Sequence, residues 1–96
     1  MSALVFVNAR IIDPDKFAQY GAAAGPTVAA HGGSFVLRGK FNANLAGDSE
    51  LSLGAVIRFP DAQSAKDWYA SDAYQQIIPL REAASEMTLT IFDEAA

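Results

Sequence analysis

The sequence has no cysteine, a single histidine and a single tryptophan in 96 residues. Without thiols there is no disulfide framework and no thiolate chemistry. One His leaves only an all-oxygen site for a metal, and the 11 Asp and Glu residues show no ligand spacing, so no metal is expected. Basic runs are absent too, and the net charge is −4. Nucleic-acid affinity comes largely from Lys and Arg neutralising phosphates, and anionic membrane surfaces attract the same charges, so neither is expected as a partner. No apolar run approaches the ~18 residues that span a bilayer. Met1-Ser2-Ala3-Leu4 lacks the basic region and apolar core of a signal peptide, and the expectation is a soluble cytoplasmic protein. Gly21 and Gly25 make no phosphate loop, no dinucleotide fingerprint is present, and no nucleophile elbow surrounds any Ser. No cofactor is expected.

What is present is apolar. Hydrophobic residues make up 51% of the chain and charged residues 19%. A chain of this size is one domain, residues 1–96, and buries only about 60–65% of its unfolded surface. That much apolar content in so small a protein points to self-association.

Alternation predicts a strand over Leu4–Ile12, apolar on both faces at its start. Asp13-Pro14 opens a helix, because Asp caps free N–H groups and Pro suits the first helical position. Phe17, Tyr20, Ala24 and Val28 form its stripe. Gly25-Pro26 interrupts this helix, where a bend is expected, and Gly32-Gly33 stops it. Ser34–Phe41 alternates again, with Phe35 and Leu37 on one side and Val36, Arg38 and Lys40 on the other. A polar turn over Asn42–Glu50 leads to a third strand, Leu51–Phe59, closing a hairpin. Asp61 caps a second helix with a stripe of Ala62, Ala65, Trp68 and Tyr69. Ser71 or Asp72 caps a further one, which Pro79 breaks or restarts. Met87–Phe92 is the last strand and Asp93-Glu94-Ala95-Ala96 a solvated tail.

The order is β-α-β-β-α-β. Two split βαβ units with right-handed crossovers give an α+β, ferredoxin-like fold: a four-stranded antiparallel sheet with the helices on one face. The other face is apolar as well, so a second sheet from a partner chain is expected to cover it, forming a dimeric α/β barrel.

Several residues could carry chemistry. His31, at the end of the first helix, can act as a general base near neutral pH; the plainer reading is a helix-terminal His bonding the last carbonyls. Arg38, pointing into a covered space, can bind a carboxylate in fork geometry; the plainer reading, shared with Arg10 and Arg58, is an ion pair within or across a dimer. Tyr20, Tyr69, Tyr74 and Trp68 can line an apolar pocket with hydroxyl handles, although Tyr20 and Trp68 sit on buried stripes. Tyr69, Ser71 and Tyr74 cluster around the helix junction. Arg81 is read as closing that junction on Asp72 or a backbone carbonyl.

A set of short pieces runs the length of the chain. They are Asp13 with Phe17 and Tyr20, Gly32-Gly33, Arg38-Gly39, Leu45 with Gly47, Phe59-Pro60, Trp68-Tyr69 with Ser71, Tyr74-Gln75 and Leu80-Arg81. In this order and spacing the chain resembles the domain of unknown function family DUF1330, within the dimeric α/β barrel superfamily. It departs from the family pattern at three places. Ser34 stands where Arg usually follows the Gly pair, Lys40 where a second Gly follows Arg-Gly, and Ala46 where the family turn has Glu. Whatever that Glu does is done differently here, or not at all; Asp48 and Glu50 lie nearby. The resemblance implies the fold and a homodimer and brings no assigned reaction. Cousins in the superfamily include cofactor-free monooxygenases and isomerases acting on small, often aromatic, molecules.

Two functional readings stand at this point. In one, a homodimer binds a small apolar or aromatic molecule between sheet and helices, with cofactor-free catalysis in which Arg38 orients an anionic group, His31 or Tyr69 handles a proton, and Tyr20 and Trp68 form the wall. In the other, a non-catalytic dimer serves binding, regulation or assembly.

Overall fold

Strand alternation and helix capping together dictate the element order. The computed structural model describes residues 1–95. It contains β1 (Ala3–Ile11), α1 (Pro14–Ala30), β2 (Ser34–Lys40), β3 (Leu53–Phe59), α2 (Ala62–Ala70), α3 (Asp72–Gln75), α4 (Ile78–Ala84) and β4 (Ser85–Asp93). The strands form one sheet in the order β2-β3-β1-β4, and every neighbouring pair is antiparallel. This is the ferredoxin-like arrangement.

The helices pack on one face. Ala3, Val5, Val7 and Ala9 of β1 are buried, whereas Phe6 and Asn8 between them are exposed. Val5, Ile57 and Phe59 from the sheet meet Tyr20 and Val28 of α1, Ala65 and Trp68 of α2, and Tyr74 of α3. Burial of Phe59, Val5 and Val28, all nearly inaccessible to solvent, contributes about 1.5–3 kcal/mol each. The opposite face stays open: Phe6 is 39%, Phe92 51% and Leu37 56% exposed. The Phe6 and Phe92 rings meet edge to face there, 5.0 Å apart.

Asp13 caps α1 by accepting the Lys16 N–H at 3.1 Å, with Pro14 in the first turn. The helix does not stop at Gly25-Pro26; it runs on as one element to Ala30. Gly32, at φ 76°, then turns the chain in a conformation that Gly adopts without strain. Asp61 caps α2 by accepting the Ser64 N–H at 2.7 Å. Ser71 joins α2 to α3, donating its hydroxyl to the Trp68 carbonyl at 2.6 Å and accepting the Tyr74 N–H at 3.3 Å. Pro79 lies in the first turn of α4, so it restarts the helix.

Three expectations need correction. The third strand begins at Leu53, because Ser52 is spent on the end of β1: its hydroxyl accepts the Ile11 N–H at 2.9 Å and its own N–H bonds the Ala9 carbonyl at 2.7 Å. The last strand is longer than expected and starts at Ser85, opposite Ile11. Of the tail expected to be solvated, Asp93 closes β4, Glu94 donates its N–H to the Ser2 carbonyl at 2.8 Å, and Ala96 lies outside the described residues.

Simple alternation also misplaces β2. A register shift between Phe35 and Leu37 inserts a bulge. Phe35 therefore lies opposite Ile57 and Arg38 opposite Ala55, both on the helix side, while Leu37 lies opposite Val56 on the open face. Phe35 and Arg38 share a face, where strict alternation had separated them.

Candidate functional site

The helices do not seal the sheet completely. Between its helix side and α1 lies a cleft of about 670 Å³, walled by Val7, Ala55 and Ile57 of the sheet, Phe17 and Ala24 of α1, and Trp68 of α2. Its polar groups are few. The Tyr20 side chain reaches it from α1 and Arg38 from β2. The Arg38 guanidinium sits 4.1 Å from the centre of the Phe35 ring, which lines the same cleft, a cation–π contact. The bulge in β2 brings this pair to the cleft.

A hydroxyl chain starts at Tyr20. Its hydroxyl lies 2.7 Å from that of Tyr74 and 4.0 Å from the Met87 sulfur. The Arg81 Nη1 donates to the Tyr74 hydroxyl at 3.1 Å and to the Tyr69 hydroxyl at 3.2 Å. A guanidinium only donates, so the Tyr74 oxygen accepts from Arg81. The Tyr74 and Tyr20 hydroxyls share one hydrogen bond, through either proton, and the Met87 sulfur is the other neighbour of the Tyr20 hydroxyl. Burial, followed by the hydrogen bond with Tyr74, pushes the Tyr20 pKa above its ordinary value. Tyr20 therefore stays protonated at neutral pH. For Arg81, burial works against the charge, but the hydrogen bonds to Tyr69 and Tyr74 outweigh it and the net direction is upward.

The candidate residues divide accordingly. Tyr20, Tyr69 and Tyr74 are brought together through Arg81, and Arg38 shares the main cleft with Tyr20. Tyr74 is fully buried and its ring is core, 4.6 Å from Trp68. Trp68 donates its indole N–H to the Thr27 hydroxyl at 3.0 Å, which holds it as a rigid wall. Ser71 caps α3 and does not line the cleft. His31 is the C-terminal cap residue of α1, its Nδ1 3.1 Å from the Thr27 carbonyl, and it does not line the cleft either. Arg10 and Arg58 form ion pairs with Glu86 at 2.6 Å and Glu94 at 2.9 Å. Arg81 is not bonded to Asp72 or to a carbonyl; it serves the tyrosine hydroxyls, and its place in this chain is what sequence reasoning missed. The one signal in the sequence that could have found it is the seven-residue spacing from Tyr74 to Arg81, which Pro79 interrupts. Among the described residues, no three His, Asp or Glu side chains come together to hold a metal ion, and no helix is long and apolar enough to cross a membrane.

Comparison with solved structures supports the fold. A protein of unknown function from Rhodopseudomonas palustris is 20% identical with a TM-score of 0.83, over 99% of this chain and 83% of that one. A dimeric ferredoxin-like protein of unknown function from Jannaschia sp. is 10% identical with a TM-score of 0.77, over 98% and 100%. SnoaB, a cofactor-independent oxygenase from Streptomyces nogalater, is 17% identical with a TM-score of 0.71, over 100% and 96%. At these identities the likeness concerns the fold alone. No curated protein matches the sequence significantly. The model of the family Domain of unknown function (DUF1330) matches residues 2–95, almost the whole chain, and the chain belongs to that family.

Proposed function

We propose that this protein binds a small apolar or aromatic molecule in the cleft between the sheet and α1, and that it does so as a homodimer. The cleft itself carries the reading: about 670 Å³ of mostly apolar wall on which the Tyr20 side chain and Arg38 converge, the usual make-up of a small-molecule site. Tyr20 and Trp68 form the wall, Arg38 orients an anionic group at the rim, and Tyr74 holds Tyr20 in place. Cofactor-free catalysis would rest on Arg38 stabilising negative charge on the bound molecule; Tyr69, expected to handle a proton, does not line this cleft.

One observation favours the non-catalytic alternative. No Asp, Glu or His lines the cleft, and Tyr20 is held protonated, so a general base would have to come from the ligand or from solvent. Binding is therefore the firmer half of the proposal. The homodimer rests on the open apolar face of the sheet and on the dimeric state of the Jannaschia protein.

Trp68 is the only tryptophan and lines the cleft, so its emission reports occupancy. A panel of small aromatic compounds, with and without a carboxylate, is titrated against that emission and against thermal melting. Saturable quenching and a raised Tm are expected, and both disappear in Ala24→Phe, which fills the cleft from α1. No saturable binder, or equal binding by Ala24→Phe, would sink the reading. Light scattering at micromolar concentration tests the dimer separately, with an expected mass of twice 10.2 kDa; a stable monomer there overturns it.

A further inference from the structure

A second cleft, of about 430 Å³, runs beside β4. Val5, Leu89 and Ile91 of the sheet form its floor, Lys66 and Tyr69 come from α2, and Arg81 from α4. It shares Trp68, Met87 and Leu89 with the main cleft. The chain as a whole carries a charge of −4, yet this cleft is lined by two cations and by no Asp or Glu.

Arg81 is the unusual member. Arg10 and Arg58 are neutralised by Glu86 and Glu94, and Arg38 stacks on Phe35. Arg81 is half-buried, and no carboxylate pairs with it among the described residues. A partly desolvated cation is costly unless an anion compensates it. Both of its hydrogen bonds leave from Nη1, to neutral hydroxyls. A guanidinium has five N–H groups, so the Nε and Nη2 donors remain, side by side in the fork that matches the two oxygens of a carboxylate. The Tyr69 hydroxyl accepts from Arg81 and has its own proton to give.

We infer that this second cleft is a binding site for a small carboxylate with an apolar body. The carboxylate is held by the Nε and Nη2 fork of Arg81 and by the Tyr69 hydroxyl, with Lys66 adding positive charge at the rim. The hydrocarbon part lies on Val5, Leu89 and Ile91. A phosphate monoester fits less well, because the fork takes two of its three terminal oxygens and the apolar floor offers the third no partner. The inference stands apart from the main-cleft reading, because it uses neither Arg38 nor Tyr20.

Benzoate is the probe, titrated into the isotope-labelled protein while amide shifts are followed, with benzamide and phenyl phosphate as comparison ligands. The largest shifts are expected around Lys66, Tyr69 and Ile91, with benzoate binding about tenfold or more tighter than benzamide, the scale of one charge-assisted contact. Arg81→Gln lowers benzoate affinity by a similar factor, whereas Arg58→Gln, at an ion pair outside both clefts, leaves it unchanged. Shifts centred on Phe35 and Phe17, benzamide binding as well as benzoate, tighter binding of phenyl phosphate, or an unaffected Arg81→Gln protein would each overturn the assignment. The shift map and the ligand comparison are made on the unaltered chain, so they decide the matter even if Arg81→Gln fails to fold.

Discussion

Removing the Tyr74 hydroxyl should destabilise the protein more than removing that of Tyr20, although the two oxygens bond each other. In Tyr74→Phe two contacts vanish, the 3.1 Å bond from Arg81 and the 2.7 Å bond to Tyr20. A hydrogen bond to a charged group is worth about 1.5–3 kcal/mol and a neutral one about 0.5–1.5 kcal/mol. Arg81 is half-buried, keeps Tyr69 and recovers water, so its share is discounted. Tyr20, almost fully buried, is left with a sulfur at 4.0 Å. The net expectation is about 1.5–3 kcal/mol, from the same hydrogen-bond scale. In Tyr20→Phe the Tyr74 oxygen still accepts from Arg81, and the loss is about 0.5–1.5 kcal/mol. The double variant should cost less than the sum of the singles, with a coupling of about 0.5–1.5 kcal/mol. Urea unfolding at fixed protomer concentration, followed by Trp68 emission, measures all four proteins, and an unchanged m value licenses the comparison. In thermal terms each kcal/mol corresponds to about 4–8 °C in a domain of this size. A Tyr20→Phe loss equal to or larger than the Tyr74→Phe loss, or strict additivity, would refute the reading of the Tyr74 hydroxyl as the shared partner of Arg81 and Tyr20.

Gly33→Ala should lower stability by about 1–3 kcal/mol through overpacking, because its Cβ would fall 2.7 Å from both the Phe59 Cε1 and the Val28 Cγ1, side chains too buried to yield; a melting point equal to the parent's refutes this. Gly21→Ala, with nothing within 4 Å of its Cβ, should instead gain up to about 1 kcal/mol from helix propensity, read in the same melt. Stability should hold up to the ordinary tyrosine pKa of 10.0 and fall above it, because the Tyr20 pKa is raised in the folded protein and only the unfolded chain ionises there; Tyr20→Phe should flatten that fall in alkaline denaturation. The backbone N–H of Ser64 lowers the Asp61 pKa below its ordinary 3.8, so the stability Asp61 contributes is complete above that value and is lost as pH falls through the lowered one; Asp61→Asn should remove this part of the acid transition. Leu37→Asp, on the open sheet face, should halve the mass seen by light scattering, and a dimer that survives both Leu37→Asp and Phe6→Asp places the interface elsewhere.

The fold was legible because its signals are local. Asp13-Pro14 and Asp61 each cap a helix through one side-chain bond, and the strands alternate on a period of two. Their order alone leads to the sheet that forms. What misled was geometry that a period does not encode. The bulge at Val36 moves Arg38 to the face of Phe35, and it arises from pairing with β3 rather than from anything in β2 itself. Ser52 was read as part of a strand because its neighbours are apolar, yet it is fixed by the backbone of Ile11, far away in sequence. Pro26 was expected to interrupt α1, but it removes one hydrogen bond from a helix that tertiary packing of Tyr20, Ala24 and Val28 holds in place.

The site was legible in residue type and not in direction. Tyr69 and Tyr74 were visible as phenols near a helix junction and Tyr20 as one on the stripe of α1, but the sequence does not say what joins them. That depends on Arg81, a residue that can only donate, placed at the end of the chain of hydroxyls. The side chains charged at neutral pH that face the two clefts are cations, Arg38 and Lys40 in one, Lys66 and Arg81 in the other, and neither cleft is lined by a carboxylate or an imidazole. His31, the one candidate base, is turned back onto the Thr27 carbonyl. On the binding reading proposed above, cation-lined clefts in a chain of net charge −4 call for ligands that bring acceptors, a carboxylate, a phenolate or a carbonyl oxygen on an apolar frame. That requirement follows from the sign of the groups lining the clefts and does not depend on a reaction following binding.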